Sequence, residues 1–194
     1  MNGPVRIVVA DDDPFYHDLY RKLIPQTGHE LVAVADSGRT LVEQCALVHP
    51  DLVISDIKME DMDGIEAARE ICNARPVPFI LVSSYYDAEL IERAQADYVL
   101  GYLIKPVRKA DLETAIAIAM RRFEEFEILR MEADHYRQTL VNRKIIERAK
   151  GILMKRAGIS ETDAFGRLQT LAHEKNQKLV DIAQMILTTE QVMS

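Results

Sequence analysis

The sequence predicts an α/β fold: a doubly wound five-stranded parallel sheet, followed by a long coiled-coil helix and a small three-helix all-α unit. Three observations carry this. Short Val- and Ile-rich runs alternate with helix-spaced segments over the first 110 residues. After Ala110 no strand pattern returns, and apolar residues recur at steps of three and four. From Arg143 the chain divides into three short segments, each with one apolar face.

The strand runs are VRIVVA (Val5–Ala10), ELVAVA (Glu30–Ala35), DLVIS (Asp51–Ser55), PFILV (Pro78–Val82) and YVLGYLI (Tyr98–Ile104). Their branched side chains suit buried strands. Between them, Leu19, Leu23 and Ile24 share a helical face, as do Leu41, Cys45 and Val48. Ile65, Ala68 and Ile71 form a third face, and Leu90, Ile91 and Ala94 a fourth. Pro50, Pro76, Pro78 and Pro106 punctuate these runs as breakers. Strict strand–helix alternation implies right-handed crossovers and a parallel sheet covered on both faces.

Leu112, Ile116, Ala119, Phe123 and Phe126 then step by 4, 3, 4 and 3, and Leu129, Ala133, Tyr136 and Leu140 by 4, 3 and 4. The extra step of three from Phe126 to Leu129 interrupts the heptad like a stammer. The expectation is one long helix over 110–142, continuous with the last helix of the sheet domain. A single helix cannot bury this seam, so a second copy is the expected partner, making a homodimer. The alternative is that the seam folds back onto its own tail.

In the tail, a helix from about Arg143 to Ala157 turns Ile146, Ala149 and Leu153 inward and stops at Gly158. A second starts at Ser160 with Asp163 three residues later, a capping-box pattern. A third is expected to start near Asn176 as its cap, burying Leu179, Ile182, Ala183 and Ile186.

Composition narrows the function classes. With 194 residues, 48% hydrophobic and 28% charged, the chain has material for one full domain plus a small second unit and is not disordered. Cys45 and Cys72 are too few for a disulfide scaffold or a cysteine zinc site. No run approaches a membrane span and the start lacks a signal-peptide stretch, so a cytoplasmic location is expected. The net charge of −7 is uneven: residues 142–194 carry +3 and the remainder −10. Such asymmetry suits a tail that meets an anion, or an ordinary solvated surface.

The chemistry gathers at strand ends. The first run leads into Asp11, Asp12 and Asp13, the third into Asp56, the fourth into Ser83 and the fifth into Lys105 and Pro106. With strand order 2-1-3-4-5, the winding reverses between strands 1 and 3, where open sheets place their sites. Asp11, Asp12 and Asp56 would share that cleft, with Ser83 and Lys105 on its rim. Crowded carboxylates repel, and a divalent cation relieves them; an all-oxygen set suits Mg²⁺. Asp56 would then attack phosphorus, with charge on the transferring group neutralised by Lys105 and the metal. A DDD triplet before a helix is also a plain N-terminal cap.

Together VVADDDP, LVISDIKM-x4-G, ILVSS and GYLIKP resemble the receiver domain of two-component response regulators over residues 4–120. The resemblance implies a CheY-like fold, Mg²⁺ held by Asp11, Asp12 and Asp56, and phosphorylation of Asp56 by a partner histidine kinase. It also implies a switch pair, Ser83 with Tyr102. Glu60 replaces the family's usual Pro, and Asp97-Tyr98 replaces its usual Gly-Ala.

Residues 143–190 resemble the ANTAR domain, an RNA-binding antiterminator module. Ala149-Lys150-Gly151, Leu153-Met154, Gly158, Glu161, Ala164-Phe165, Leu168, Ala172, Asn176, Lys178-Leu179 and Ala183 carry the match. The resemblance implies recognition of tandem RNA hairpins. Lys144, Arg148, Gly151 and Lys155 form one helical stripe, beside Lys150. Gly151 costs about 1 kcal/mol against Ala inside a helix, so close approach by a phosphate backbone or a neighbouring helix is expected there. Asn176, Gln177 and Lys178, at a helix start, could reach base edges or merely cap a helix, while Met154 and Phe165 fit core roles. Two other readings are a DNA-binding response regulator, disfavoured by the mixed face Lys178, Asp181 and Gln184, and a regulator whose tail docks a protein. No GxxxxGK[ST] loop is present, so a free-standing kinase is not expected and the chain reads as a signalling protein rather than an enzyme.

Overall fold

The structure, a computed structural model, describes residues 3–84 and 98–193. The elements are β1 (Arg6–Ala10), α1 (Pro14–Gln26), β2 (Glu30–Ala35), α2 (Gly38–Val48), β3 (Leu52–Asp56), α3 (Gly64–Ala74), β4 (Phe79–Ser83), β5 (Val99–Ile104), α4 (Lys109–Ala157), α5 (Glu161–Glu174) and α6 (Leu179–Met193). The strands form one sheet in the order β2-β1-β3-β4-β5, every pair parallel. The fold class read from the sequence is the one observed, with strand ends moved by at most one residue. The expected helix face Leu90, Ile91 and Ala94 lies outside the described residues, as does Asp97.

Alternation along β1 splits the core. Ile7 and Val9 face α1 and the start of α4, against Tyr20, Ile24, Leu112 and Ile116. Val8 and Ala10 face α2 and α3, against Leu41, Cys45, Ala68 and Ile71. Helix starts are fixed by side-chain acceptors. Asp13 accepts from the Phe15 N–H (2.9 Å), and Asp63 accepts from the N–H groups of Ile65 and Glu66. Ser37 and Thr40 cap α2 reciprocally.

The chain divides into two units, residues 1–127 and 128–194. The expected break at Asn142 is absent: α4 is one helix of 49 residues, and the first tail helix is its C-terminal part. No Gly or Pro interrupts it between Lys109 and Lys150. What changes along it is the covered face. Leu112, Ile116 and Ala119 are buried in the sheet domain, and Phe123 and Phe126 flank the ring of Tyr98.

In the second unit, Ala149 of α4 packs with Leu168, Ile182 and Ala183 of α5 and α6. Ser160 caps α5 as expected, accepting from the Asp163 N–H, but the Asp163 carboxylate returns to the Ser160 hydroxyl rather than to its backbone. The assignment of Asn176 as the start of the third helix is corrected. Asn176 ends α5 in a left-handed conformation (φ 50°). Its N–H reaches the His173 carbonyl, and the Gln177 N–H reaches that of Ala172, a Schellman closure. Asn tolerates both positions, so residue type alone did not separate them. The carbonyl of Lys178 accepts the first bonds of α6.

Candidate functional site: an acidic cleft and a basic helix face

Parallel strands bring Asp11, Asp56, Ser83 and Lys105 to one edge of the sheet, each at or just past its strand's C-terminal end. The DDD triplet is divided in use. Asp13 turns away to cap α1, while ligand oxygens of Asp11, Asp12 and Asp56 lie within 4.8 Å of one another. The Lys105 ammonium is 2.8 Å from Asp11 Oδ2 and 2.5 Å from Asp56 Oδ2. The side chains of Lys105, Asp11 and Asp56 are only 7%, 0% and 8% exposed, so Lys105 stands inside the cleft and not on its rim. It also lies 3.8 Å from the centroid of the Tyr16 ring.

The remaining acceptor capacity is uneven. Asp11 Oδ1 accepts from the Asp13 N–H (3.1 Å) and Asp56 Oδ1 from the Lys58 N–H (3.3 Å). Asp11 Oδ2 has the charge of Lys105 nearby but no aligned hydrogen-bond donor. Burial pushes the Asp11 carboxyl above the ordinary range despite Lys105. For Lys105 burial acts downward, but the carboxylates of Asp11 and Asp56 beside it outweigh that and hold the ammonium above its usual value. Three carboxylates against one ammonium leave net negative charge and an under-bonded buried oxygen. That donor set fits a hard divalent cation such as Mg²⁺.

The backbone at Asp56 is closely packed. Ser55 donates its hydroxyl to the Asp56 carbonyl (2.8 Å). A Cβ on Gly64 would stand 2.1 Å from that same carbonyl oxygen, which is why the motif needs glycine there. Asp61 ties the intervening loop to α2 by accepting from the N–H groups of Gly38 and Arg39. Glu60 is exposed. Ser83 is buried at the end of β4, and Tyr102 packs half-buried against Ile57, Ile65 and Leu81.

On α4, Lys144, Arg148, Gly151 and Lys155 are all exposed, and no acid pairs with the three cations among the described residues. Gly151 has nothing within 4 Å of the position its Cβ would take, which removes the neighbouring helix as its reason. Lys150 differs: it is turned inward, 2.9 Å from Glu147 and 2.7 Å from Glu161. Asn176 and Lys178 are exposed in the turn joining α5 to α6 rather than on α4. Met154 and Phe165 are both partly exposed. Sequence reasoning overlooked Tyr16 and Asp61. For Tyr16 a signal existed, since an aromatic in the first turn after an acidic strand end faces the same cleft.

A family model for the response regulator receiver domain matches residues 7–117, and one for the ANTAR domain matches residues 134–187. The chain belongs to the response regulators. Within that family it is similar to the transcriptional regulatory protein PdtaR of Mycobacterium tuberculosis, 36% identical over 96% of this chain and 91% of the relative. Among solved structures it resembles the signal receiver domain of the response regulator NarL from Mycobacterium tuberculosis, with 25% identity and a TM-score of 0.57, covering 61% of this chain and 98% of that one. A LuxR-family response regulator from Aurantimonas is 26% identical with a TM-score of 0.58, covering 61% and 86%. The ANTAR match starts nine residues before Arg143, within the uninterrupted helix α4. Among the described residues no helix of this response regulator is long and apolar enough to cross a membrane.

Proposed function

We propose that this response regulator accepts a phosphoryl group on Asp56 from a partner histidine kinase, and that phosphorylation pairs two chains whose ANTAR domains hold a tandem RNA hairpin, preventing a terminator stem. The observation that carries the first half is the buried Lys105 ammonium between the carboxylates of Asp11 and Asp56. One Asp56 oxygen attacks phosphorus, a P–O bond forms, and the P–N bond to the donor imidazole breaks. Lys105 meets charge gathering on the phosphoryl oxygens, and the Lys58 N–H keeps the Asp56 carboxylate oriented. Asp11, Asp12 and Asp56 would hold Mg²⁺, which when bound supplies further neutralisation of those oxygens. Ser83 and Tyr102 would register the new group as the switch pair. Asp56→Ala is expected to abolish labelling by acetyl phosphate; labelling that persists removes Asp56 from this role.

The second half rests on α4. Leu129, Tyr136 and Leu140 are 64%, 68% and 60% exposed in a single chain, a seam that a second copy would cover. Charge supports parallel pairing. With Leu129 and Tyr136 at d positions, Glu125 and Glu132 fall at g, and Arg130 and Arg137 at e. Parallel chains set Glu125 against Arg130 and Glu132 against Arg137, whereas antiparallel chains oppose like charges. Two weak RNA sites held in one dimer gain affinity through effective concentration. The unpaired cations Lys144, Arg148 and Lys155 supply phosphate contacts beside the open backbone of Gly151, and Asn176 and Lys178 reach toward loop bases. Replacing Lys144, Arg148 and Lys155 with Ala should weaken binding to a tandem-hairpin RNA and lower its log–log salt slope by roughly 2. Unchanged binding would move the RNA site to another face, and a gel-shift preference for duplex DNA would favour a DNA-binding regulator.

A further inference from the structure

We propose that Tyr16 is a positioning residue for Lys105, its ring face holding the ammonium in place over Asp11 and Asp56 while the phosphoryl group arrives. This rests on the reading of Asp56 as phosphoacceptor. A lysine ammonium has three N–H donors. Two carboxylate oxygens lie 2.8 and 2.5 Å from Nζ, and the ammonium also stands over the Tyr16 ring, 3.8 Å from its centroid. An aromatic face attracts a cation electrostatically, most strongly where water is excluded. The Lys105 side chain is 7% exposed, so that condition is met.

The ring matters when the Asp56 partner changes. Forming the P–O bond converts the Asp56 carboxylate into a neutral acyl group, and its pull on Lys105 falls. The ammonium must then settle on a phosphoryl oxygen at the end of a flexible four-carbon stem. The ring is unchanged by the reaction and limits how far the stem can swing. Tyr16 is itself held. Its N–H bonds the Asp13 carbonyl (3.0 Å) in the first turn of α1. The Phe15 ring meets it edge-on at 5.3 Å and 88°, and Tyr20 lies 6.4 Å away on the same helix. α1 begins three residues after Asp11, so one strand end delivers both the acid and the ring.

The test compares the full-length wild type with Tyr16→Phe and Tyr16→Leu. Two quantities are read: the ring-current shift of the Lys105 ε-methylene protons by NMR, and the rate of labelling by acetyl phosphate with Mg²⁺. Wild type and Tyr16→Phe should share an upfield shift and a similar rate. Tyr16→Leu should lose the shift and label about tenfold more slowly. A Tyr16→Leu rate equal to wild type, or a Tyr16→Phe rate as low as Tyr16→Leu, overturns the role assigned to the ring. Failure of the wild type to label at all overturns the phosphoacceptor reading and this role with it, whereas the ring-current shift reports the Tyr16–Lys105 geometry either way.

Discussion

Lys105 and Lys150 are each clasped by two carboxylates, yet the two clusters are built for different ends. Around Lys105 both acids are withdrawn from water and Asp12 adds a third negative charge, so the cluster holds more negative charge than Lys105 offsets. Around Lys150, itself 10% exposed, Glu147 and Glu161 are 53% and 67% exposed and water completes their solvation. The first arrangement keeps unbalanced charge buried. The second ties α4 to the first turn of α5 and withdraws Lys150 from the exposed cations Lys144, Arg148 and Lys155 around it. The difference shows that a lysine's role follows from the burial of its partners rather than from their number.

Removing each lysine in turn separates the two clusters. Lys105→Met leaves two buried carboxylates facing each other and should cost about 2 kcal/mol in urea unfolding without metal, below the full cost for a sealed pair because the Asp12 side opens to water. Adding Mg²⁺ should recover part of this. Lys150→Met should barely move the unfolding midpoint, since its glutamates already face solvent. Equal losses in the two variants would contradict the contrast.

Two glycines sharpen it. Gly64→Ala forces a Cβ to within 2.1 Å of the Asp56 carbonyl oxygen, and overpacking of this kind costs about 1–3 kcal/mol. Gly151→Ala meets only open space and should stabilise α4 by up to about 1 kcal/mol while weakening RNA binding. Thermal unfolding of both variants and a binding titration of the second decide this.

Titration gives the finer effects. The folded Lys105 ammonium is held above 10.5, so its stabilisation is complete below that pH and is lost as pH rises through the folded value. The stability gap between wild type and Lys105→Met should therefore narrow above about pH 10.5; a constant gap in urea midpoints would contradict the pairing. Glu161 is held below 4.5 by Lys150, so its contribution is present above that pH and fades as pH falls through the folded value. Its carboxyl titration, followed by NMR, should return to the ordinary range in Lys150→Met.

The sheet and its acidic edge were legible because buried parallel strands read as plain apolar runs and each ends on a chemical group, as Ala10–Asp11 and Ile104–Lys105 do. The continuity of α4 was not. A helix left bare from Leu129 to Leu140 and covered again from Ile145 reads in sequence like a helix that stops and a second that starts. Lys150 sits one residue beyond buried Ala149, and spacing alone could not tell whether its ammonium turned to solvent or to Glu161, eleven residues away across a turn. Asn176 suits a helix start and a left-handed helix end equally, and only the Gln177 bond to Ala172 separates them. The place of Tyr16 beside an acidic strand end was legible, but its partner was not, because Lys105 is brought to it only by the winding of the sheet.

Whether events at Asp56 govern the cationic face of α4 is decided by the affinity of the full-length protein for a tandem-hairpin RNA, with and without beryllofluoride and Mg²⁺, in wild type and Asp56→Ala. Tighter binding on addition is expected in the wild type alone. Equal affinity in the wild type under both conditions would contradict it.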